Sequence, residues 1–149
     1  MTFFIHPIRY FWLMEKIKTI LYWIARIGAA IIMIQTLYFK FSGAEESVYI
    51  FSTVGMEPWG RIGTGVFELI ASVLILINAT AWLGAILGLG LMAGAIFFHL
   101  TVLGIEVKGD GGYLFLLALL VAVFCLIVLA FNRQRVTSLA TQILNRKRN

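Results

Sequence analysis

The sequence predicts an all-α, polytopic membrane four-helix bundle, and three observations carry that prediction. The chain holds four apolar runs, each of about 20 residues and able to cross a hydrocarbon core of about 30 Å at about 1.5 Å per residue. Of its 149 residues 61% are hydrophobic, with a mean hydropathy of +0.96. Only 13% are charged, where a soluble domain carries about 25%. The net charge of +5 does not point to nucleic acid, because the basic residues gather at the two chain ends and flank the spans. With one cysteine, Cys125, neither an intrachain disulfide nor a dithiol relay can form. No basic n-region followed by a small-residue cleavage site opens the chain.

Three segments follow. Residues 1–18 mix Phe3, Phe4, Tyr10, Phe11 and Trp12 with His6, Arg9, Lys16 and Lys18, which reads as an interfacial amphipathic helix starting near Pro7. A disordered tail is the alternative. Residues 19–132 hold the four-span domain, and residues 133–149 form a basic tail. In the first span, 19–39, Tyr22, Arg26, Ala29, Met33 and Lys40 share a face at 100° per residue, and Gln35 points the other way. Ser42 and Glu45 have capping-box spacing, so a short helix should follow and stop at Gly55. Its Val48, Tyr49, Ile50 and Phe51 place it against the mouth of the bundle. Pro58 suits the first position of the second spanning helix, 58–78.

A short turn at Asn78-Ala79-Thr80 leads to the third span, 81–102, with Thr80 as its expected N-cap. Asn-Ala-Thr also matches a glycosylation sequon, but so tight a turn beside the membrane argues against modification. Gly84, Gly88, Ala95, His99 and Val102 lie on one face of that span, and Gly84-x-x-x-Gly88 allows close helix approach, within the chain or against another copy. Gly109 to Gly112 lacks the Gly-Lys-Ser/Thr ending of a phosphate loop and reads as a tight turn into the fourth span, 113–131. There Ala118, Ala122 and Cys125 share a face, which makes Cys125 a small packing residue. Basic flanks at Arg9, Lys16, Lys18 and at Arg133, Arg135, Arg146, Lys147 and Arg148 place both termini in the cytoplasm, with the two acidic loops outside.

Within this frame Glu68 stands out. An ionisable group at the centre of a bilayer costs about 2.5–3.5 kcal/mol on insertion scales, so it needs a partner or a use. Depth along the helices brings Glu68, His99 and Lys40 into the outer half of the bundle, with Arg61 two turns above Glu68, Gln35 nearby and Arg26 well below. Two readings stay open. Glu68 ties helices together by pairing with Arg26, Arg61 or Lys40. Alternatively, Glu68 and His99 form a small amphipathic pocket under a mouth lined by Tyr38, Tyr49, Trp59 and Tyr113, suited to a quinone headgroup or another lipophilic molecule. One histidine and scattered carboxylates specify no metal site.

The chain is similar to the DoxX family of small four-helix membrane proteins. The resemblance rests on Arg26, on Tyr38-Phe39-Lys40-Phe41, on Phe67-Glu68-Leu69-Ile70, on the glycine-rich stretch 83–91, on His99 and on the loop 109–112, and it covers roughly residues 24–128. Arg26, Lys40 and Glu68 match the charged positions of the family pattern, and His99 matches less firmly. The resemblance implies an accessory subunit that binds a quinone-like molecule and supports a membrane oxidoreductase in the cell's inner membrane. Paired cysteines and cofactor motifs are absent from the sequence, so no intrinsic cofactor is expected and electron transfer would need a bound quinone or a partner's cofactor. The alternatives are a non-enzymatic scaffold or assembly factor and a small transporter or proton-coupled channel. Beyond the lipid bilayer, the expected partners are a membrane redox protein and further copies of the chain.

Overall fold

The computed structural model describes residues 6–146; the expected roles of Phe3, Phe4, Lys147 and Arg148 fall outside them, as do those of the side chains of His6, Arg9 and Arg146. Six α-helices and no strand occur among the described residues: α1 (His6–Ser42), α2 (Glu45–Thr53), α3 (Trp59–Leu76), α4 (Ala81–Phe98), α5 (Tyr113–Phe131) and α6 (Arg133–Arg146). A π-helical turn, His99–Leu103, continues α4. Segments of α1, α3, α4 with its π turn, and α5 are each long and apolar enough to cross a membrane. Each packs on its neighbour in the order α1, α3, α4, α5, and α5 returns to α1, closing a ring. The short α2 and the loop from Gly104 to Gly112 cover one end of the bundle; α6 follows α5 at the end carrying the termini.

Helix α1 shows no break at residues 18 and 19, where the interfacial segment was expected to give way to the first span. Neither glycine nor proline occurs between Pro7 and Gly28, so nothing interrupts the ladder of i→i−4 hydrogen bonds. The predicted buried face is present: Arg26, Ala29 and Met33 are buried, together with Ala25 and Ala30. Every side chain from Tyr10 to Leu21 is exposed.

Small residues set the helix spacing. A Cβ on Gly84 would lie 2.4 Å from the Ile75 amide nitrogen and 2.8 Å from the Ala71 carbonyl oxygen, so α3 and α4 touch through their backbones. Gly88 faces Cys125 and Met33, which brings α4 against α5 and α1. Both glycines of the Gly84-x-x-x-Gly88 motif thus pack within the chain. Cys125 is fully buried beside Gly88, in the packing role its face predicts.

Local details depart from the sequence reading in instructive ways. The Ser42–Glu45 capping box does not form: α1 runs through Ser42, and α2 starts after Ala44 without a side-chain cap. Helix α2 ends two residues before Gly55, whose φ of 73° is the left-handed conformation that glycine adopts freely. Pro58 precedes the first residue of α3 as its N-cap. Thr80 stands at the N-cap of α4 but donates its hydroxyl backwards, to the Leu74 carbonyl at 3.0 Å, closing the end of α3. The π turn widens the helix by one residue per turn, so Val102 rotates off the His99 face and is exposed.

The Gly84 contact predicts that Gly84→Ala lowers the melting temperature in detergent, because the backbone of α3 must move. Gly63→Ala, where a Cβ meets nothing within 4 Å, should leave it unchanged or raise it. Equal melting temperatures for the two variants would contradict the backbone contact.

Candidate functional site

Two charges of α1, separated by fourteen residues or about 21 Å of helix, fasten it to α3, Arg26 at the C-terminal end of that helix and Lys40 at its middle. Arg26 is fully buried. It donates from Nε to the Ile75 carbonyl at 2.7 Å, and from its terminal nitrogens to the Leu76 carbonyl at 2.6 Å and to Asn78 Oδ1 at 2.5 Å. Its guanidinium also lies over the Trp23 ring at 4.2 Å and the Tyr22 ring at 5.0 Å. Among the described residues no carboxylate pairs with it. The compensating charge is the negative end of the α3 dipole, whose last carbonyls have no partner within the helix. Arg26 therefore stands apart from Glu68, at the far end of the bundle.

At the middle of α3 the Lys40 ammonium donates to Glu68 Oε2 at 2.8 Å and to Thr36 Oγ1 at 3.1 Å. The Thr36 hydroxyl lies 2.9 Å from Glu68 Oε2 and 2.8 Å from the Met33 carbonyl, which compete for its single proton. The side chains of Lys40 and Glu68 are 15% and 7% exposed, so this ion pair is held away from solvent. Arg61 lies beside it without touching Glu68. Its guanidinium makes a bidentate contact with Glu57 at 2.7–2.9 Å and caps the Lys40 carbonyl at the end of α1. Thr36 joins the site although sequence reading passed over it. Its position four residues before Lys40, on the same helical face, was the available signal.

Glu68 and Lys40 line a cavity of about 720 Å³ between the four spanning helices, closed over by α2. Most of its wall is apolar: Ile32, Met33 and Phe39 from α1, Met92 and Phe98 from α4, Leu114, Leu117 and Val121 from α5, Ile50 and Phe51 from α2, and Val54 just after it. Gly90 and Gly94 give it room on the α4 side, where a Cβ at either position would meet nothing within 4 Å. The polar wall comprises Gln35, Thr36, Lys40, Glu46, Ser47, Thr64, Glu68, His99 and Asp110. Gln35 is exposed and borders the cavity, and among the described residues no interhelical hydrogen bond engages its amide. Of the expected mouth aromatics Tyr113 lines the cavity. Tyr38 (74% exposed) and Trp59 (65% exposed) point away from the bundle, and Tyr49 is half-exposed beneath the Lys108 ammonium.

His99 is buried and its imidazole packs on the Phe115 ring at 5.5 Å. Its Nδ1 lies 2.8 Å from the Gly104 carbonyl oxygen. A carbonyl only accepts, so Nδ1 carries the proton and donates. The π turn and Gly104, at φ 82°, fold the chain back to make that contact. Asp110 organises the following loop, accepting from the amides of Val107 at 2.8 Å, Gly112 at 2.9 Å and Leu114 at 3.0 Å. Burial alone would raise its pKa. The three amides, helped by the nearby His99, outweigh that and hold the carboxyl below its ordinary value. Among the described residues no group of histidine, cysteine and carboxylates is arranged to hold a metal ion.

Residues 21–101 match the model of the DoxX family. The chain belongs to the DoxX family. The match spans the first three membrane helices and α2, and contains Arg26, Lys40, Glu68 and His99. Asp110 and Tyr113 lie beyond it. With its four apolar helices, this DoxX-family chain is an integral membrane protein. Neither curated proteins nor solved structures gave a match.

Two predictions follow from this geometry. Lys40→Met leaves the Glu68 carboxylate buried without its cation and should cost about 3–5 kcal/mol, whereas the double variant Lys40→Met/Glu68→Met should recover most of it. A double-mutant cycle in detergent unfolding measures this, and additive losses would count against a coupled pair. Because its pKa is lowered, Asp110 contributes stability that is present above the ordinary carboxyl pKa of about 3.9 and lost as pH falls through the lowered value. The melting-temperature gap between the native protein and Asp110→Asn should therefore be widest near neutral pH and shrink below about pH 4.

Proposed function

We propose that the cavity binds a lipophilic small molecule with a polar ring headgroup, of quinone type, and that the protein serves a membrane oxidoreductase as an accessory subunit. The cavity carries this reading: its volume of about 720 Å³ falls within the range of about 300–1,000 Å³ typical of small-molecule sites. Like such sites it is mostly apolar with a few convergent polar groups. Lys40, Gln35 and His99 would hold ring oxygens by hydrogen bonds, while Phe39, Phe98 and Leu117 would cover the ring and the start of its tail. A bound quinone supplies two-electron redox chemistry, which the side chains of this chain lack. Cys125 is the single cysteine and is buried in packing.

In this reading the protein sits in the inner membrane with both termini cytoplasmic. Lys16, Lys18, Arg133 and Arg135 flank the spans at the terminal end. Proteolysis of inside-out and right-side-out vesicles tests that orientation.

A second reading, a scaffold or assembly factor, is favoured by the first third of α1. The run from Tyr10 to Leu21, rich in aromatic and aliphatic side chains, is exposed on all sides and is a surface on which a membrane protein could dock. The two readings separate by experiment. Gly94→Leu fills the cavity without burdening a helix contact, and should abolish binding of a short-tailed benzoquinone while the protein stays folded and keeps any protein partner. Unchanged quinone binding in that variant, measured by fluorescence quenching in nanodiscs, would remove the cavity from the argument.

A further inference from the structure

The hydrogen-bonding character of the cavity wall limits what it can prefer. Glu68 spends one oxygen, Oε2, on Lys40 and Thr36; Oε1 has no partner among the described residues. Yet Glu68 is only 5% exposed, and among the described residues no unsatisfied side-chain oxygen or nitrogen is sealed from the surface. Oε1 therefore opens onto the cavity that Glu68 lines. The same argument holds for His99, which is also 5% exposed. Its Nδ1–H is committed to the Gly104 carbonyl, which leaves Nε2 as the ring position facing a ligand. The Glu46 carboxylate, from α2, adds two more acceptor oxygens that no ion pair engages. Against these, Lys40 has used two of its three N–H groups, and the Gln35 amide and the Ser47 and Tyr113 hydroxyls offer donor and acceptor alike.

We infer that the cavity selects the reduced, hydroxyl-bearing form of its ring ligand, a hydroquinone or comparable diphenol, over the oxidised quinone. This rests on the quinone-type reading above and sharpens it. A quinone presents only carbonyl acceptors, so it leaves Glu68 Oε1 and the Glu46 carboxylate, which can only accept, unmatched. The hydroquinone presents two O–H donors, which those two carboxylates accept. A site built around one hydrogen-bonding pattern rejects the analogue lacking it, because its own buried polar groups go unpaired. In function this makes the protein a quinol-holding subunit, and preferential quinol binding raises the midpoint potential of the bound couple.

The test uses the full chain in nanodiscs under anaerobic conditions, with three probes of one shape: a short-tailed 1,4-benzoquinone, its hydroquinone, and the dimethyl ether of that hydroquinone. The expected result is a hydroquinone Kd at least tenfold below those of the other two, equivalent to about 30 mV for a two-electron couple. Glu68→Gln should narrow the ratio, because the new amide brings donors to the same place. Glu46→Gln, at a partly exposed position outside the buried ion pair, provides a second variant expected to narrow it less. A quinone that binds as tightly as the hydroquinone overturns the inference while leaving the quinone-type reading intact. Equal affinity of the dimethyl ether and the hydroquinone likewise overturns it, since shape alone would then decide. Tighter binding of a lipophilic quaternary ammonium than of the hydroquinone overturns it by showing that the wall selects charge. Failure of all three ring probes to bind removes both readings.

Discussion

A polar group inside hydrocarbon has no water to bond to, and each one left unmatched costs several kcal/mol. This constraint governs the architecture around α1 and α3. Arg26 and Lys40 both sit on the inner face of α1, and each solves the problem differently. Arg26 uses the open carbonyls at the end of α3 and the faces of two aromatic rings. Lys40 uses a carboxylate and a hydroxyl. The two solutions pin one helix to another at two levels, which fixes their axial register more firmly than apolar packing between lipid-exposed helices can. Arg61 reinforces the second by capping the carbonyl of Lys40 itself.

With α1 and α3 in register, the rest of the bundle follows from side-chain size. Gly84 lets α4 reach the backbone of α3, and Gly88 lets it meet Cys125 and Met33. Towards the other end of α4, Gly90 and Gly94 perform the opposite service. Nothing fills the space they leave, and the bundle opens into a cavity there. One glycine-rich helix thus closes the bundle at one end and hollows it at the other. Placing the Lys40–Glu68 pair on the cavity wall makes one contact serve two ends. Oε2 stabilises the fold, and Oε1 remains available to a ligand.

The π turn at His99 links this wall to the covering loop. It rotates the end of α4 so that the imidazole faces inward, while Gly104 returns to accept its proton. Asp110 then gathers three amides and starts α5. Loop geometry therefore sets which His99 ring nitrogen donates to the backbone.

Much of this was legible in the chain. Four apolar runs dictate four spans, because hydrocarbon thickness sets helix length; the inward face of the first span and the packing role of Cys125 follow from the 3.6-residue period. The cost of a buried carboxylate marked Glu68, and depth along the helices brought Lys40 close to it. Tertiary structure decided the matters that depend on which partner is nearest in space. It sent Arg26 to the end of α3, because helix ends expose acceptors that no residue type announces. It turned Arg61 to Glu57, and it drew Thr36 into the ion pair. It also chose which glycines close a contact and which leave a cavity, since a missing Cβ means opposite things against a backbone and beside a void. Sequence periodicity records which side of a helix faces inward; only the packed bundle decides what stands opposite.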